Sequence, residues 1–93
     1  MSAPLLDAFD ASAPWRLSEQ VSLRDESFGA LAYHHGTRRL VFLKSPELVT
    51  LVRHLGEFES ADAAVDATVA PAQHDRYVRA LASLHHSEIL SGG

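Results

Sequence analysis

Between Phe28 and Lys44 the chain reads FGALAYHHGTRRLVFLK, two runs rich in aliphatic and aromatic residues joined by a short polar segment that carries Gly36. This is the pattern of a β-hairpin with a glycine-assisted turn. A chain of 93 residues forms one small domain around one modest core. The hairpin therefore dictates what the other segments must pack against. Its second run, Leu40 to Leu43, is apolar at every position, so both faces of that strand are apolar. Either it is buried on both sides, or its second face awaits a partner. At a sheet edge its free N–H and C=O groups would template another extended segment. The flanking Arg38, Arg39 and Lys44 would discourage accidental pairing there.

Leu31 and Tyr33 share one face of the first hairpin strand, with Ala30, Ala32 and His34 opposite. Before the hairpin, Trp15, Leu17, Val21 and Leu23 alternate with polar residues, interrupted at Glu19 and Gln20, and Gln20 to Arg24 reads as a half-buried strand. Trp15 is expected to lie over the sheet as a lid. Residues 1–14, rich in Ala, Ser, Asp and Pro, read as a mobile N-terminal arm.

After the hairpin, Ser45, Pro46 and Glu47 supply an N-cap, a proline at the first helical position and an acid in the first turn. Leu48, Leu51, Val52 and Leu55 follow at helical spacing, and Gly56 is a natural stop. Ser60 caps a second, alanine-rich helix from Ala61 to Thr68. Pro71 opens a third helix reaching His86, with Tyr77, Val78, Leu81 and Leu84 as its apolar stripe and Arg76, Arg79, Ala80 and Ser83 flanking it. Ile89 and Leu90 are expected to fold back over the core, and residues 91–93 to fray. The pattern is α+β: three N-terminal antiparallel strands followed by three helices in one domain over residues 15–90, resembling a winged helix-turn-helix.

Charge and composition narrow the function classes. The net charge is −4, yet residues 28–54 carry four bases and one acid, a local balance of +3. An acidic chain lacks the basic surplus that a sequence-independent grip on nucleic acid requires. No cysteine is present, which excludes disulfides and thiolate metal sites and agrees with a cytoplasmic protein. No apolar window is long enough to span a membrane, and neither a membrane segment nor a signal peptide is expected. Adjacent histidines at 34 and 35 point to opposite faces of a strand, and those at 85 and 86 diverge on a helix, so no metal site is expected. GxSxG and a glycine-rich phosphate loop are both missing, so neither catalytic residues nor a cofactor is expected.

Two functional readings remain. A winged-helix DNA-binding transcriptional regulator would use the third helix for recognition, but that helix offers only Arg76 and Arg79 against nearby Asp75 and Glu88. A peptide-binding module suits the chain better. The Leu40 to Leu43 edge would supply main-chain hydrogen bonds, while Arg38, Arg39, Lys44, Arg76 and Arg79 would favour an acidic ligand. The same edge can also pair weakly with a second copy of the chain.

The segments PWRLSEQVSLRDESFGALAYHHGTRRLVFLKS, LVTLVRHL and RYVRALASLHHSEIL, covering residues 14–90, resemble the small chaperones of mycofactocin biosynthesis, within the PqqD-like group of precursor-peptide recognition elements. The resemblance implies a noncatalytic, winged-helix-like protein. It would hold the leader of a ribosomally made precursor as an added strand beside the third strand, in a groove shared with the third helix. It would then deliver the precursor to a radical S-adenosylmethionine maturase that decarboxylates and cross-links a C-terminal Val-Tyr pair. Carried onto this chain, the third strand is Arg39 to Leu43 and the third helix runs from about Ala72 to His86. The expected contacts are Arg39, Leu40, Val41, Phe42, Leu43 and Lys44 from the strand and Arg76, Arg79, Ala80 and Ser83 from the helix. If Leu40 and Phe42 face the core, Val41 and Leu43 form the apolar floor; the opposite parity exchanges the pairs.

Overall fold

A computed structural model describes residues 9–92. The first eight residues of the expected arm, and Gly93, lie outside the described residues. In chain order the elements are β1 (Trp15–Leu17), β2 (Val21–Glu26), β3 (Gly29–His34), β4 (Leu40–Leu43), α1 (Pro46–His54), α2 (Ala61–Thr68), α3 (His74–His86) and β5 (Leu90–Gly92). The fold is α+β, and its strands form two antiparallel sheets: β2-β3-β4 and β1-β5.

The second sheet departs from expectation. Trp15 to Leu17 do not join the hairpin but pair with Gly92, Ser91 and Leu90. Ser91 and Gly92, expected to fray, are thus held by β1, and Ile89 and Leu90 are buried. Residues 9–14 are also packed onto the domain. The carbonyls of Ala13 and Ala11 accept from the amides of Ala61 and Asp62, at 3.1 and 2.9 Å, pairing two amides that α2 cannot satisfy internally. Trp15 clusters with Phe9 and His85, its ring centroid 4.9 and 4.7 Å from theirs and theirs 5.9 Å apart, and its Nε1 donates to the Asp10 carbonyl.

The helix starts follow their caps. Ser45 Oγ accepts from Leu48 N and Ser60 Oγ from Ala63 N. Gly56 does not stop the chain at once, because a 3₁₀ turn, Leu55–Glu57, extends α1 and buries Leu55. Pro71 likewise opens a 3₁₀ turn, and α3 begins only at His74. The fully buried Leu43, Leu51, Val52, Leu55, Val65, Leu81 and Ile89 join β4 to all three helices and the chain end.

The hairpin turn is built differently from a glycine turn. Arg38 adopts the left-handed conformation, with φ of 67°, and its N–H bonds the His34 carbonyl at 2.8 Å. Buried His34 anchors the turn, its Nδ1 accepting from the amides of Gly36 and Thr37, both at 3.0 Å. A Cβ at Gly36 would displace the flexible end of the Gln20 side chain and crowd the His34 ring.

Candidate functional site

Among the described residues, β4 of the three-stranded sheet pairs only with β3, in the register Ala30↔Leu43, Leu31↔Phe42, Ala32↔Val41 and Tyr33↔Leu40. His34 N donates to Arg39 O at 2.9 Å. Bonded and non-bonded pairs alternate along an antiparallel ladder, so Val41 and Leu43 spend their backbone groups on β3. Leu40 and Phe42 direct theirs outward, along the open edge. The sheet's other edge, β2, carries Arg24, Asp25 and Glu26, with ion pairs Arg24–Glu26 at 3.0 Å and Arg53–Asp25 at 2.6 Å. Such charges blunt an edge against pairing. Between Leu40 and Leu43 there is no charge at all.

The side chains of β4 take the second of the two parities. Leu43 is fully buried and Val41 packs on the core, whereas Leu40 and Phe42 are each 53 % exposed. Alanine decides this. Ala30 and Ala32, both fully buried, share the core face with Leu43 and Val41, and their small size lets the helical layer approach. The larger Leu31 and Tyr33 stay on the outer face with Leu40 and Phe42. Leu43 therefore cannot offer its side chain to a ligand.

Where β4 ends, a cleft of about 560 Å³ opens between the β4–α1 junction, the end of α2 and the start of α3. Lys44, Ser45, Glu47, Gln73, Arg76 and Tyr77 are among the residues lining it. A smaller cleft of about 180 Å³ continues it along α3, past Leu48 and Ala80. Its width is fixed by Ser45. The hydroxyl donates its one hydrogen to Glu47 Oε1 at 3.0 Å, so Tyr77 Oη, 2.9 Å away, donates to Ser45 Oγ and ties α3 to the strand end.

Of the expected contacts, the structure brings Lys44, Arg76 and Ala80 together in one cleft and sets Leu40 to Phe42 on the strand leading to it, with Arg39, expected to open that strand, just before it. Arg79 and Ser83 are exposed on α3 and line neither cleft. Sequence reasoning did not assign Ser45, Leu48 and Tyr77 to the site. By sequence Ser45 reads only as a cap and the other two only as core, although a tyrosine at the margin of an apolar stripe signals a hydroxyl in need of a partner.

The chain has eight Lys and Arg residues. Arg16, Arg24 and Arg53 hold ion pairs. The other five, Arg38, Arg39, Lys44, Arg76 and Arg79, hold none among the described residues; they flank β4 or project from α3. His74 has a different setting: Asp75 hydrogen-bonds its Nδ1, and with Asp66 and Asp62 on the Nε2 side this raises its pKa above the ordinary value against an opposing desolvation. These carboxylates lie at opposite ring nitrogens, and no metal-holding group of His, Asp and Glu occurs among the described residues. No helix of the described residues is long and apolar enough to cross a membrane.

An uncharged open strand edge that leads into a basic cleft beneath a helix is what a peptide-recognition module needs. The chain belongs to the peptide chaperone MftB family, whose model matches residues 14–91. It is 44 % identical over 86 residues to the peptide chaperone MftB of Mycolicibacterium smegmatis, covering 91 % of this chain and 84 % of that one. The peptide chaperones MftB of Mycobacterium ulcerans and Mycobacterium tuberculosis are 43 % and 41 % identical, over 89 % and 88 % of this chain and 77 % and 76 % of theirs. No solved structure matches the chain.

Proposed function

We propose that this chain, on a winged-helix-like frame, captures the leader of the acidic mycofactocin precursor peptide as a strand added to β4 and presents it to a radical S-adenosylmethionine maturase. It performs no chemistry itself. The observation that carries this reading is the β4 edge, open among the described residues, where the outward backbone groups of Leu40 and Phe42 lie between Arg38, Arg39 and Lys44, which hold no ion pair among those residues. The guest strand extends past Lys44 into the cleft, where Arg76 meets its acids and Tyr77, Leu48 and the small Ala80 leave room for its apolar side chains. Arg79 and Ser83, which line neither cleft, would meet the guest only where it runs further along α3. Held in this way, the precursor's reacting end is confined near the maturase, and the linkage raises its effective concentration without a catalytic group.

The backbone parity selects the test. Proline at Val41 would break the ladder to β3, whereas proline at Phe42 removes an outward N–H and leaves that ladder intact. In calorimetric titrations with the full-length precursor peptide, Phe42→Pro should bind roughly two- to tenfold more weakly than Phe42→Ala, the factor carried by one hydrogen bond. Circular dichroism checks that both variants fold. Equal affinities would remove strand addition from the account.

A further inference from the structure

The outer face of the three-stranded sheet changes character from one side to the other. On β2 it presents Ser22 and the Arg24–Glu26 ion pair, whereas on β4 it presents Leu40 and Phe42. These two, with Phe28, are the exposed large hydrophobic side chains among the described residues, and the Phe28 and Phe42 rings are 5.7 Å apart. Exposed apolar surface is thus gathered along the open edge, on the side of the sheet away from the α3 cleft.

Resting on the strand-addition reading above, we infer that this outer face is a second recognition subsite, which reads two apolar guest residues spaced i and i+2. Strand geometry makes the connection. In a β-ladder the residue directly opposite projects its side chain to the same face. Leu40 and Phe42 are the β4 residues whose backbone groups point outward, so with a guest running antiparallel to β4 they form the hydrogen-bonded pairs, at a Cα separation of about 5.5 Å. The guest residues opposite them are two apart and lie on the outer face beside Leu40, Phe42 and Phe28. The intervening guest residue turns to the other side, toward the cleft lined by Leu48, Tyr77 and Ala80. The guest this edge selects is therefore apolar on both faces of its strand, with acids at its ends to meet Arg38, Arg39 and Lys44. A second copy of this chain fits less well, because antiparallel pairing of two β4 strands would bring these bases together.

The test uses Leu40→Ser with Phe42→Ser in the intact chain, both at exposed positions, titrated with the full-length precursor peptide. The subsite predicts affinity weakened roughly fivefold or more, from two lost cross-strand pairs. Leu40→Ile with Phe42→Tyr should restore it, and serine substitutions along the precursor should couple to the double variant at two positions separated by one residue. Unchanged affinity, with the effect of Phe42→Pro over Phe42→Ala retained, overturns the subsite and leaves strand addition standing. Loss of self-association or of maturase binding without loss of peptide affinity also overturns it, and assigns the patch to that partner.

Discussion

Gly29 enters β3 with φ of +147°, and a Cβ there would collide with the carbonyl of Leu43, across the sheet on β4. An L side chain is strained at that angle whatever the space around it. Gly29→Ala should therefore destabilise the fold by at least about 1 kcal/mol, lowering the melting temperature by roughly 4–8 °C for each kcal/mol in a domain of this size. An unchanged thermal transition would show that β4 tolerates displacement from β3, which the fixed register denies. At this scale legibility depended on whether the signal was local. Ser45 and Ser60 cap their helices as read, because a cap is decided within one turn. The parity of β4 could not be read from its own residues, since Leu40, Val41, Phe42 and Leu43 are apolar on both faces. It was set by Ala30 and Ala32 on the neighbouring strand, whose value lay in being small rather than strongly hydrophobic.

Among the elements, the junction of α2 and α3 carries a charge-dependent contact. His74 opens α3, with Asp62 of α2 3.1 Å from its Nε2 and Asp75 3.3 Å from its Nδ1. Its pKa is raised in the fold, so the folded state holds the proton more tightly than the unfolded chain. The resulting stabilisation is complete below the ordinary value of 6.5 and fades as pH rises through the folded value. Between about pH 5.5 and about pH 8 the wild type should therefore lose more thermal stability than His74→Gln. Parallel profiles would contradict the clasp. The helices and the hairpin were legible because their periodicity runs over many residues. The β1–β5 sheet was not, because three-residue strands from opposite ends of the domain carry no periodic signal. The clefts were half legible: Lys44, Arg76 and Ala80 could be named, but the hydroxyl tie between Ser45 and Tyr77 exists only after the helices have packed.

Across the whole molecule, a net charge of −4 coexists with a basic margin around one strand edge. An acidic body discourages indiscriminate association, and the local bases would speed encounter with the acidic partner proposed above. The core holds β4 and α3 in place, and among the described residues nothing pairs with the outer edge of β4, an arrangement that suits the peptide partner implied by membership in the peptide chaperone MftB family. The central claim can be tested amide by amide, by hydrogen exchange with and without saturating precursor peptide. Leu40 and Phe42 amides should exchange readily in the free protein and slow roughly tenfold or more in the complex, while Val41 and Leu43, already bonded to β3, stay protected in both. Saturated binding with no change at Leu40 and Phe42 would contradict strand addition to β4.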